Sequence, residues 1–256
     1  MTPCAVLFIL EERMNENFDV FDEYVQNYDM NERMIGYKYN HSYRVVHQAE
    51  EICRSLNLDT EERDLASNIA LLHDIARFRQ WTDYKTFNDE DSFDHGDEGV
   101  KILFEEGEIK KYNIKKEDYD VLKKAIKNHN KFSLDNKKLN ERELLHSKIV
   151  RDADKLDILY AFSTNRLLEI TEDDLEINEN VRDDFFNHIQ TYKNDIISKN
   201  DRVIELFGLI YDLNFDYSKE RVLNEKYIDK IYEHLNNKKL FKPYRDEIIK
   251  YLKGGK

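Results

Sequence analysis

Two prolines and seven glycines are all that 256 residues contain, and that scarcity constrains the fold more than any other feature. An all-β sandwich or barrel turns every ~10 residues, and its turns draw on glycine and proline. This chain has too few of either, so long uninterrupted helices are predicted and the fold class is read as all-α. A composition of 40% hydrophobic and 12% aromatic residues supplies a sizeable core and excludes disorder as the main state. The stretches Val203, Ile204, Leu206, Phe207, Ile210, Tyr211 and Tyr227, Ile228, Ile231, Tyr232, Leu235 repeat at helical spacing, which marks their aromatics as core. No repeat period and no linker divides the chain. The acidic run 171–176 and the polar segment 178–184 mark the boundary between a helical domain, 31–170, and a C-terminal helical portion, 171–256, packed on it. Residues 1–30 form an N-terminal extension and first helix.

Forty basic against fifty-three acidic residues give a net charge of −13, which disfavours nucleic acid and anionic membranes as partners. Cys4 and Cys53 cannot build a disulfide framework and have no metal-ligand spacing, which suits a reducing compartment, and a cytoplasmic location is expected. The apolar run 5–10 is too short for a signal core, lacks a basic segment before it and runs into Glu11, Glu12 and Arg13. No stretch approaches the ~20 apolar residues of a membrane span.

Six of the eight histidines fall between positions 41 and 146, so the first half carries most of the groups suited to metal binding or acid/base chemistry near neutral pH. His41 shares a helical stripe with Val45, Ala49 and Ile52, whereas His47 falls on the opposite, solvent side. His73 and Asp74 follow the apolar run Leu71-Leu72, and an aspartate there needs a partner. Asp94 is placed to cap a helix on which His95 shares a face with Gly99 and Ile102, and Gly96 and Gly99 leave room for a close approach. His129 continues the stripe of Leu122, Ala125 and Ile126. Asp152 and Asp154 both lie among apolar neighbours, and spacing does not choose between them. Any one of these residues reads most simply as a hydrogen-bonded core group. Together, four histidines and two aspartates on the inner faces of successive helices are too costly to bury separately, and a bound cation satisfies them jointly.

An isolated His41 in His-Ser-Tyr-Arg-Val, the doublet His73-Asp74 and Asp154 within Arg-Asp-Ala-Asp-Lys-Leu-Asp together resemble the H…HD…D signature of the HD-domain metal-dependent phosphohydrolases, over roughly residues 35 to 165. The resemblance implies an all-α HD bundle in which His41, His73, Asp74 and Asp154 hold one divalent ion. Asp154 is chosen because the family's last aspartate follows Ala and precedes a basic residue and Leu. His95 and His129 match positions that bind a second ion in the binuclear branch, with Asp74 as the bridge. This chain has Asn128-His129-Asn130 where some binuclear members carry a His-His pair, and it lacks the Gly-Tyr-Pro signature of the cyclic-dinucleotide branch, so the expectation is one ion or two.

The donor set admits Mn, Fe, Co, Ni, Zn or Mg, with Mn or Fe first. The implied activity is hydrolysis of a phosphate ester or anhydride of a small metabolite, foremost a nucleotide, through a metal-activated water, with Asp74, Arg44 and Lys155 as catalytic residues. Arg77 and Lys127 are expected to bind substrate, as are Trp81, Tyr84, Lys85 and Phe87 in a loop from Gln80 to Phe93 that either folds over a substrate or plugs the bundle. A homodimer is admitted. Two other functions use the same residues: an HD-domain di-iron oxygenase, and a non-catalytic interaction module stabilised by metal.

Overall fold

The computed structural model describes residues 16–164 and 168–254. The segment 1–13 and Cys4 lie outside them. The described residues are helical without a strand, as the sparse glycine and proline predict. The order is α1 (Glu16–Val25), α2 (Arg33–Ser55), α3 (Thr60–Leu72), α4 (Ala76–Tyr84), α5 (His95–Val100, continued by a π turn), α6 (Tyr119–Asn128) and α7 (Glu141–Thr164). Five further helices follow: α8 (Glu179–Phe186), α9 (Lys199–Gly208), α10 (Asp216–Asn224), α11 (Tyr227–His234) and α12 (Lys238–Leu252). Among the described residues no helix is long and apolar enough to cross a membrane.

Local chemistry sets the ends that matter to the site. Asp59 caps α3 by accepting from the Glu62 amide, and α3 then runs as eight consecutive buried residues from Leu65 to Leu72 before delivering His73 and Asp74 to the turn. Asp94 caps α5 by accepting from the Asp97 amide at 3.0 Å, which fixes His95 at the first helical position. Gly96 faces the end of α6 so closely that a Cβ there would stand 3.0 Å from the Ile126 carbonyl and 2.7 Å from Asn130 Oδ1. Gly99 meets only ordinary contacts, so the close approach belongs to Gly96 alone.

Helix α7 is the axis. It is buried on nearly every side, from Ile149 and Val150 round to Leu156, Leu159 and Ala161, which is the pattern of a helix packed from all directions. It contacts α2, α3 and α6 on one side and α10 and α11 on the other. A continuous apolar core joins Phe21 of α1 to Ile248 of α12. Asp152 ties the C-terminal helices to it, accepting from the Asn214 amide (2.9 Å), the Asn214 side chain (2.8 Å) and the Phe215 amide (3.1 Å).

Candidate metal centre

Six side chains from five helices and the turns beside them converge. One ligand atom each from His41, His73 and Asp74 lie within 4.8 Å of one another, and so do those of Asp74, His95 and His129. Asp74 faces both groups with different oxygens. Its Oδ2 is 3.3 Å from His41 Nε2 and 3.4 Å from His73 Nε2, and its Oδ1 is 3.5 Å from His95 Nε2 and 3.7 Å from His129 Nε2. Asp154 Oδ1 completes the first pocket, 3.2 Å from His41 Nε2 and 3.8 Å from His73 Nε2. Asp152 lies elsewhere on α7, committed to Asn214 and Phe215 as described. Of the two aspartates, it is Asp154 that stands among the converging side chains.

The tautomers follow from the other ring nitrogens. His73 Nδ1 donates to the Ala70 carbonyl (2.6 Å) and His129 Nδ1 to the Ile126 carbonyl (2.7 Å), and a carbonyl can only accept. His41 Nδ1 donates to Asp157 Oδ2 at 2.6 Å and His95 Nδ1 to Asp89 Oδ2 at 2.7 Å. In its neutral form each ring therefore presents a bare Nε2 lone pair inward, the arrangement of imidazoles oriented as ligands. His41 Nε2 and His73 Nε2 are buried without a hydrogen-bond partner, and His95 Nε2 stands 3.0 Å from His129 Nε2. Acceptors facing acceptors repel unless a cation lies among them, so the residues present fit a divalent ion in each pocket.

Charge says the same. Although burial and the Lys38 ammonium oppose it, Asp154, Asp157 and Asp74 draw the His41 ring up to about 9. The first pocket is short of positive charge. Burial raises the Asp74 carboxyl, but the Lys38 ammonium, then His73 and the His129 and His41 rings, outweigh that and hold it well below the usual carboxylate range. In the second pocket burial, then the Arg77 guanidinium, pushes His95 down to about 3, and burial also lowers His129. Both are neutral at pH 7, as ligands must be.

The other sequence-derived candidates divide. Arg77 stands beside Asp74, its Nε 3.4 Å from Asp74 Oδ1, and its Nη1 donates to the Phe87 carbonyl (2.7 Å) and Asp89 (3.0 Å). The Phe87 ring lies under both the Lys38 ammonium (5.4 Å) and the Arg77 guanidinium (5.5 Å), and Trp81 packs on Phe87 at 5.1 Å. Arg44 pairs with Asp157, Nε to Oδ1 at 2.6 Å, and so supports His41 from behind. Lys155 is bonded to Asp212 at 2.6 Å. Lys85 pairs with Glu32 at 2.9 Å, Tyr84 packs on Phe93 and is half exposed, and Lys127 pairs with Asp97 at 3.0 Å on the surface. The expected loop from Gln80 begins later: residues to Tyr84 remain in α4, which ends where Lys85 turns left-handed, and buried Gln80 donates to Asp89 and Ser92 of the loop that follows.

Four residues escaped the sequence reading. Lys38, one helical turn before His41, places Nζ 2.5 Å from Asp74 Oδ2; its signal was the three-residue spacing on the His41 face. Asp157, three after Asp154, orients His41. Asp89 orients His95 while accepting from Arg77, Gln80 and Asn130. Arg151 lies buried behind His129.

Residues 39–159, which include all six convergent side chains, match the family model of the HD domain. No curated protein and no solved structure matches the chain.

Proposed function

The chain carries an HD domain over residues 39–159, the helical bundle of a superfamily of metal-dependent phosphohydrolases, and we propose that it hydrolyses a phosphate ester or anhydride of a small metabolite, foremost a nucleotide. The observation that carries the reading is the convergence of four imidazoles and two carboxylates in two groups that share Asp74. His41, His73, Asp74 and Asp154 would hold one divalent ion, and Asp74, His95 and His129 a second, with Mn or Fe the first choice. Such an ion supplies a bound water of lowered pKa and screens phosphoryl charge.

The chain's own groups do the rest. Lys38 and Arg77 place an ammonium and a guanidinium beside the bridging carboxylate, where they favour an anionic substrate and the charge that develops on its phosphoryl oxygens. Phe87, stacked beneath both cations, offers them an apolar wall. The imidazoles are fully buried, whereas Asp154 is 19% exposed, so the first pocket opens along Asp154. A purely structural ion is usually enclosed, and this opening favours catalysis over a metal-stabilised module. The proposed unit is 31–170, with 171–256 as a helical addition that braces it.

The test is a panel of phosphomonoesters, phosphodiesters and nucleoside triphosphates with added Mn, Co, Ni and Mg, run on the parent and on Asp74→Ala. Phosphate or pyrophosphate release by the parent, lost in the variant, supports the proposal. Equal turnover by the metal-loaded variant refutes the site. Substrate-dependent oxygen consumption with no release from any phosphate compound transfers the same ligands to the di-iron oxygenase reading.

A further inference from the structure

His129 follows directly on the last residue of α6, and the final carbonyls of a helix have no partner within it. Here one side chain serves them. Arg151 of α7 donates from Nη1 to the carbonyls of Asn128 (3.0 Å) and His129 (3.2 Å) and to that of Lys131, and from Nη2 to the Phe132 carbonyl at 3.4 Å. The guanidinium thereby grips the backbone on both sides of His129, while the His129 ring is fixed by its own bond to Ile126. At 2% exposure Arg151 is among the most deeply buried large side chains, and a buried guanidinium requires a counter-charge. Asp212 provides it, its Oδ2 bonded to Arg151 Nη2 and to Lys155 Nζ. Asp212 ends the 3-10 turn Leu209–Asp212, outside the HD match, and the next residues of that segment are anchored on Asp152.

We propose that Arg151 is a positioning residue for His129 and that Asp212 holds it in that role, so the C-terminal helices complete the second pocket although they contribute no ligand to it. The inference rests on reading Asp74, His95 and His129 as an ion-binding pocket. It assigns residues 209–215 a function beyond packing: they set the second ion's affinity through one guanidinium. A planar fork is needed because several carbonyls in fixed directions must be met at once, which a lysine cannot do.

The metal-free full chain is titrated calorimetrically with Mn²⁺, and thermal melting is recorded in parallel, for the parent, Arg151→Met, Asp212→Asn and Glu172→Gln. Glu172 accepts from the backbone of Asn236 and Asn237 at the start of α12, so its variant loosens the C-terminal helices without touching Arg151. The parent binds two ions. Arg151→Met and Asp212→Asn keep the first within about twofold and weaken the second at least about tenfold, the usual scale for a lost supporting partner, while Glu172→Gln binds both as the parent does. Asp212→Asn preserves side-chain shape and carries the comparison if Arg151→Met does not fold. Parent-like second-ion affinity in Asp212→Asn overturns the inference, as does equal weakening of both ions in step with melting temperature. A parent that binds a single ion overturns the two-pocket reading itself.

Discussion

Asp157 is fully buried, shared between His41 Nδ1 at 2.6 Å and Arg44 Nε and Nη2 at 2.6 and 3.0 Å, so Asp157→Ala strikes stability and metal affinity together. Removing one partner of a buried ion pair costs about 3–5 kcal/mol. The Arg44 side chain is 14% exposed, and water reaching it places the expected cost at the lower end, about 3 kcal/mol. For a chain of this size each kcal/mol moves the melting temperature by about 2–4 °C, so a fall of about 6–12 °C is expected in the metal-free protein. His41 also loses the acceptor that fixes its tautomer, and the first ion should bind about 10–100-fold more weakly. Melting with and without Mn²⁺, together with calorimetric titration, reads both effects. The double variant Arg44→Met/Asp157→Ala leaves no orphaned guanidinium and should recover part of the stability but none of the affinity. A fall under about 2 °C with unchanged ion binding would refute the argument that Asp157 both neutralises Arg44 and orients His41.

His129→Gln should remove the second ion and leave the first, measured as metal equivalents after dialysis; loss of both would make the pockets one. Burial lowers the His146 ring below its ordinary value although Glu62 Oε2 lies 2.6 Å away. The unfolded chain then binds the extra proton first as pH falls below about 6.5, so stability contributed by neutral His146 declines between about pH 7 and 5. His146→Gln should flatten that slope in denaturant titrations at the two pH values, and an unchanged slope would contradict the assignment. Lys127 is exposed and paired with Asp97, so Lys127→Ala should leave kcat/KM within about twofold of the parent on any substrate the panel identifies.

The fold class was legible because glycine and proline scarcity is a property of the whole chain. The inward histidines were legible because each stands on or beside the apolar face of its own helix, a local signal. The supporting groups depend on contacts across the bundle: Asp157 reaches a histidine 116 residues away, and Asp212 an arginine 61 residues away. Nothing in the spacing around Asp212 distinguishes it from surface acid. Lys38 and Asp157 are different, since each sits one helical turn from a ligand on the same face and a stricter use of that periodicity would have included them. Arg44 and Lys155 were expected to meet phosphate because they follow ligands in sequence. Cations in so acidic a chain find carboxylates first, and both are bound to aspartates that sequence proximity does not reveal.

The central claim is tested most directly by anomalous scattering from a crystal grown with Mn²⁺. A peak bounded by His41 Nε2, His73 Nε2, Asp74 Oδ2 and Asp154 Oδ1, with the Lys38 ammonium displaced from Asp74, is the result expected. No peak among those atoms, with Lys38 still bonded to Asp74, would contradict it.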